Sequence, residues 1–125
     1  KEAEFCVSNL RLTLQRLADL PMPTVAAVEG VAVGGGMELV VAADIIVSSQ
    51  GATFGFPETS LGIVPGAGGT QRIPRLVGSA RALELMLTAR KFSGVEAHEY
   101  GVVQYLVEDG LANEKAMEIA QIISK

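Results

Sequence analysis

The chain is short of the residues that most often announce a function. It has one cysteine, Cys6, and one histidine, His98, in 125 residues. A lone thiol cannot close an internal disulfide, which fits a reducing compartment, and in an amphipathic helix it reads as a small hydrophobe. His98 has no cysteine or second histidine nearby in sequence, so neither a zinc set nor a Ser-His-Asp triad is expected, and its expected place is solvated surface. Positive charge is short as well: 10 Lys and Arg against 14 Asp and Glu leave a net charge of −4. The basic residues are scattered, so the footprint of a nucleic-acid binder is missing. The chain opens Lys1-Glu2-Ala3-Glu4, unlike a secretory or transit leader. Its long apolar run, residues 24–43, is interrupted by Glu29, Glu38 and glycines, which is costly for a membrane span, so no membrane partner is expected.

What is present is a globular composition, 49% apolar, in a chain near the common domain size. Ala3, Val7, Leu10, Leu14 and Leu17 recur at helical spacing, predicting an amphipathic helix from Lys1 to about Leu20, ended by Pro21 and Pro23. Thr24 to Val28 reads as a strand covered on both faces, and Gly30 leads into a glycine-rich turn. A helix from about Gly36 to Ala42 is apolar nearly all round and is expected to be interior. Ile45 to Ser49 reads as a second buried strand and Gly51 to Pro57 as a short third one. Thr70 to Val77 is a short helical piece, and Arg81 to Ala89 a helix with Leu83, Met86 and Leu87 inward. Ser93 with Glu96 forms a capping-box signature. Val102 to Val107 reads as a strand with Gln104 as its polar residue. Leu111 to Ile123 closes the chain as a helix with Leu111, Ala116, Ile119, Ala120 and Ile123 inward. Strands alternate with helices and no linker divides them, so the fold class is α/β in one domain or a contiguous part of one.

The stretch from Val31 to Asp44 organises the rest. Gly34, Gly35 and Gly36 deliver the chain into a helix whose first amides lack intrahelical acceptors, and bare glycine backbone lets an anion or developing oxyanion approach them. Tight packing of that helix on a strand explains three glycines equally well, and a first-turn glutamate can simply complement the dipole. Neither phosphate-binding pattern fits. No lysine completes a P-loop, and Leu39 and Gln71 stand where the third glycine of a dinucleotide fingerprint belongs. What remains is Glu38, one turn in from the glycines, and Glu58, twenty positions on, directly after Pro57. Two carboxylates in an apolar cleft resist ionising together, so one can hold a proton while the other acts as base. Glu29, Glu84, Glu96, Glu99 and Glu108 read as solvated or paired surface.

A-A-V-E-G-V-A-V-G-G-G-M-E-L at 26–39, F-G-F-P-E-T at 54–59 and G-I-V-P-G-A-G-G-T-Q-R at 62–72 together resemble the crotonase superfamily, and most of all its enoyl-CoA hydratases. L-P-M-P-T-V-A-A-V-E-G at 20–30 is similar to the 3-methylglutaconyl-CoA hydratase branch. The resemblance implies a spiral of stacked ββα units, with residues 1–125 forming a single partial domain. N-terminal strands carrying a second oxyanion donor are then expected before Lys1, and C-terminal helices after Lys125. It implies that the Gly35 N–H binds the thioester oxygen, that Glu38 and Glu58 are the catalytic acids, and that Gly34 and Gly66 line the substrate site. The reaction implied is addition of water to a 2-enoyl-CoA, as in fatty-acid or branched-chain amino-acid breakdown, with coenzyme A part of the substrate and neither cofactor nor metal. A one-glutamate isomerase and a non-catalytic RNA-binding relative are the alternatives. A homotrimer or dimer of trimers is implied, in the mitochondrial matrix of a eukaryote or the cytoplasm of a bacterium.

Overall fold

The computed structural model describes residues 12, 15–56 and 69–125. Residues 12 and 15–18 are helical, Asp19 and Leu20 have left the helix, and the other residues of the expected N-terminal helix, Cys6 included, lie outside the described residues. The elements then follow as β1 (Val25–Val28), β2 (Val31–Val33), α1 (Gly35–Val41), β3 (Ile45–Ser49), β4 (Thr53–Gly55), α2 (Gly69–Val77), α3 (Ser79–Thr88), β5 (Phe92–Ser93), α4 (Gly94–Tyr100), β6 (Tyr105–Val107) and α5 (Ala112–Ile123).

Successive strands go to different sheets. β1, β3 and β6 form one parallel sheet in the order β1-β3-β6, with Val25 opposite Ile45 and Val47 opposite Tyr105. β2, β4 and β5 form the other, where β2 and β4 are parallel with Val33 opposite Gly55, and β5 closes antiparallel on β4. Two strands, one to each sheet, and then a helix make one unit, and β1-β2-α1 is repeated by β3-β4-α2. This repeat gives the α/β spiral its parallel pairings.

The larger core is built from residues of both sheets and of helices α1 to α4. Phe54, Phe56, Met37, Ile73 and Leu85 are wholly inaccessible there, and the rings of Phe54 and Phe92 stack with centroids 5.7 Å apart. Each such phenylalanine contributes roughly 2–3 kcal/mol by leaving water. A smaller core joins Val47 of β3 to Ala112, Ala116 and Ile119 of α5. Asp44 fastens the end of α1 to the start of β1: its carboxylate accepts from the Thr24 N–H at 2.9 Å, and its own N–H donates to Thr24 Oγ1 at 3.1 Å.

Several expectations are corrected. β2 arises where only a glycine turn was read, because Gly30 at φ 70 turns the chain sharply into three paired residues. β1 packs on both faces at its start, where Val25 and Ala26 meet different cores, but the double cover expected of the whole strand fails at Ala27, which is exposed. In α3 it is Ala82, Leu85 and Met86 that face inward, while Leu83 and Leu87 are 55% and 73% exposed. Both sides of that helix are apolar, so spacing alone allowed either rotation. The strand expected from Val102 shrinks to Tyr105–Val107. The Val102 and Val103 N–H groups close α4 on the Ala97 carbonyl, and Gln104 replaces a ladder rung with its side chain, Oε1 accepting from the Ile46 N–H at 2.7 Å. In α5, Leu111 and Ile123 are exposed and Ala112 takes the inner position.

Candidate active site

β2 and β4 end side by side, and α1 springs from that edge. Gly34, at φ 57 and ψ −124, makes the turn between them in a conformation open to glycine and strained for other residues. Its N–H is used by the sheet, donating to the Gly55 carbonyl at 3.1 Å, and its carbonyl accepts the first helical bond from the Glu38 N–H at 3.0 Å. Gly34 therefore shapes the site with its backbone while its amide stays in the sheet.

Gly35 is different. As the first residue of α1 it has no intrahelical acceptor, and no main-chain carbonyl among the described residues accepts from its N–H. Among the described residues, a methyl group placed on Gly35 or Gly36 meets no atom within 4 Å, and both glycines are exposed. Tight packing thus does not explain this pair of glycines. α1 has only seven residues, so what it offers an oxyanion is chiefly the hydrogen bond itself.

Glu38 lies one turn along. It is 2% exposed, on the packed face with Met37 and Val41. Glutamate is rarely buried to this degree. The expectation that α1 is interior all round is corrected by the opposite face: Gly35 and Gly36 are bare, and Leu39 is 53% exposed. Sequence reasoning passed over Leu39. The available signal was its four-residue step from Gly35, which puts both on one face.

Glu58 and Gly66 lie outside the described residues, together with the rest of 57–68. The lesser acids have structural tasks. Glu29 accepts from the Gly110 N–H at 3.1 Å and the Ala112 N–H at 2.9 Å, capping α5 from the β1–β2 turn, and the two backbone bonds, that from Ala112 first, lower its carboxyl pKa. Glu84 grips the Arg90 guanidinium with both oxygens at 2.7 and 2.8 Å, and Arg90 lowers its pKa to about 2. Glu96 completes the capping box with Ser93, while Glu99, Glu108 and His98 are exposed. Among the described residues no cluster of His, Cys, Asp and Glu could hold a metal, and no helix is long and apolar enough to cross a membrane.

Residues 2–125 match the family described as enoyl-CoA hydratase/isomerase. The chain belongs to the enoyl-CoA hydratase/isomerase family. Among relatives in this family, it is 46% identical over 124 residues to the probable enoyl-CoA hydratase 2, mitochondrial, of Arabidopsis thaliana, covering 99% of this chain and 41% of that protein. It is 44% identical over 119 residues to the mitochondrial methylglutaconyl-CoA hydratase of Rattus norvegicus, covering 92% of this chain and 38% of that one. The crystal structure of enoyl-CoA hydratase from Bacillus anthracis superposes with a TM-score of 0.95 at 47% identity, over 98% of this chain and 48% of the other. The chain thus spans less than half the length of these family members, and over that span it has their fold.

Proposed function

We propose that the protein is an enoyl-CoA hydratase that adds water across the 2,3-double bond of a 2-enoyl-CoA thioester. The observation that carries this reading is Gly35, an exposed residue whose N–H has no main-chain acceptor among the described residues, three positions before the buried Glu38. The N–H would hold the thioester oxygen as negative charge develops on it, a contact of the kind worth about 3 kcal/mol, or roughly a hundredfold in rate. Glu38 and Glu58 would share the water, one accepting its proton as oxygen attacks C3 and the other delivering a proton to C2. Gly34 and Gly66 would line the acyl and water site, and coenzyme A would enter as part of the substrate.

The relatives' names support an enoyl-CoA, methylglutaconyl-CoA among them, as substrate, and a mitochondrial setting if the source is eukaryotic. Assembly into a trimer or a dimer of trimers belongs to the same reading, and exposed Leu83 and Leu87 on α3 offer apolar surface for it.

The test uses the protein at its native length and follows loss of the conjugated-enoyl absorbance, with product mass showing gain of water. Glu38→Gln and Glu58→Gln are each expected to lower kcat by about 10²- to 10⁴-fold with the fold intact. Conversion of a 3-enoyl thioester without gain of water would assign an isomerase instead. Inert crotonyl-CoA and methylglutaconyl-CoA would end the hydratase reading.

A further inference from the structure

α1 has seven residues, fewer than the roughly 12–15 at which an isolated helix begins to hold its shape in water, so its place is set by what ties its ends. The two ends are tied to different sheets. At the start, the Gly34 N–H donates to the Gly55 carbonyl of β4 at 3.1 Å. Beyond the last turn, Asp44 and Thr24 clasp each other. One carboxylate oxygen of Asp44, Oδ2, accepts from the Thr24 N–H at 2.9 Å and from the Thr24 hydroxyl at 3.3 Å. That hydroxyl in turn accepts from the Asp44 N–H at 3.1 Å, and the Asp44 and Ile45 N–H groups both reach the Thr24 carbonyl at 3.1 Å. Packing holds this end less: an open cavity of about 220 Å³ is lined by the α1 end from Val41 to Asp44 and by Arg75 and Leu76 of α2. Hydrogen bonds to the head of β1 therefore fix where α1 stops.

We infer that Thr24 and Asp44 are positioning residues for Glu38, and that by fixing the far end of α1 they set where its carboxyl group meets the substrate. The inference rests on the hydratase reading and adds to it the residues that hold one of its acids in place. Glu38 lies between the two ties, four residues after Gly34 and six before Asp44, on the buried face with Met37 and Val41. A helix tied only at Gly34 can pivot there, because glycine backbone is permissive. Such a pivot moves Glu38 while leaving the Gly35 N–H, next to the tie, almost where it was. The clasp therefore bears on proton transfer more than on thioester binding. A misplacement of about 1 Å at a reacting group is enough to cost a large factor in rate.

The experiment measures kcat and KM of the native-length enzyme on 2-butenoyl-CoA, per folded molecule and below every variant's melting transition. The wild type, Thr24→Val and Thr24→Ser are compared, each with Glu38 in place and each beside Glu38→Gln. Thr24→Val keeps the branched shape and removes both hydroxyl bonds, so kcat is expected to fall about tenfold with KM held within about twofold. Thr24→Ser keeps the hydroxyl and is expected to return kcat to within about twofold of the wild type. Beside Glu38→Gln the loss from Thr24→Val is expected to shrink below about twofold, because residues that act through one group are not additive. A clasp that only supports the fold would lower the melting temperature and change kcat equally in both backgrounds. Asp44→Asn, which keeps the shape and loses the charge, replaces Thr24→Val if that variant does not fold, and its loss is likewise expected only with Glu38 in place. A loss that persists in full beside Glu38→Gln, or an unchanged kcat in folded Thr24→Val, overturns the assignment while leaving hydration standing. A wild type inert on 2-butenoyl-CoA and methylglutaconyl-CoA removes hydration and this assignment with it, so the two failures are told apart.

Discussion

At the scale of single residues, the clearest strain in the described chain is at Ala89. It ends α3 at φ 53 and ψ 21, the left-handed region, and among the described residues the other positive-φ positions are all glycine. An L-residue there brings its Cβ against the following carbonyl at a cost of about 1 kcal/mol, whereas glycine at a helix end does not. Ala89→Gly is therefore expected to stabilise the protein by about 0.5–1 kcal/mol in a denaturant titration, although glycine normally loosens a chain. A lower midpoint in the variant would show that the helix end is not strained. Glu38 is legible in the sequence because its helix offers little polar face, leaving a buried carboxylate as the residual option. Leu39 is not, because an apolar residue in an apolar helix carries no mark of whether anything covers it.

At the scale of elements, α5 shows how a helix start can be completed from far away. Leu111, at its N-cap, has no side chain able to accept, and the acceptor comes from Glu29, 83 positions before Ala112. Because the fold holds the Glu29 carboxyl below its usual pKa through the Ala112 and Gly110 amides, its contribution is present above the ordinary carboxylate range of about 4 and is lost as pH falls through the lowered value. Glu29→Gln is expected to lower the melting temperature near neutral pH, with the gap to the wild type closing as the solution is acidified below about pH 4. A gap that persists in acid would mean that shape, not charge, makes the cap. Reading Glu29 as surface is right about its exposure and silent about its task, since no local pattern links residues so far apart. The capping box at Ser93 and Glu96 needs only three residues of separation, and it is legible. Where an element's outcome is decided by its own neighbours, as in α4 and β3, the sequence reading succeeds. Where a distant partner or a second apolar face decides it, as for Gln104 and the rotation of α3, it does not.

At the scale of the whole molecule, the two sheets are pinched together where β5 hands over to α4. Gly94 donates to the Ala52 carbonyl at 2.9 Å and lies against the end of β3, so a residue following the second sheet touches the first. A Cβ on Gly94 would overlap the Ser49 carbonyl oxygen and sit 2.9 Å from Ser48 Oγ. That hydroxyl already donates to the Ser49 carbonyl at 2.8 Å, and both serines are buried. Neither neighbour can swing aside as a surface side chain could, so the sheets must separate or the backbone must shift. Gly94→Ala is expected to cost at least about 2 kcal/mol, in the range of overpacked cores, and to speed hydrogen exchange in β3 and α4 together. Gly36→Ala makes the same chemical change where the new methyl meets nothing within 4 Å among the described residues, and there the helix gains about 0.5–1 kcal/mol. The opposite signs of one substitution separate a glycine kept for space between sheets from one that leaves a surface open. Equal effects at both positions would show that backbone freedom, not the pinch, governs Gly94.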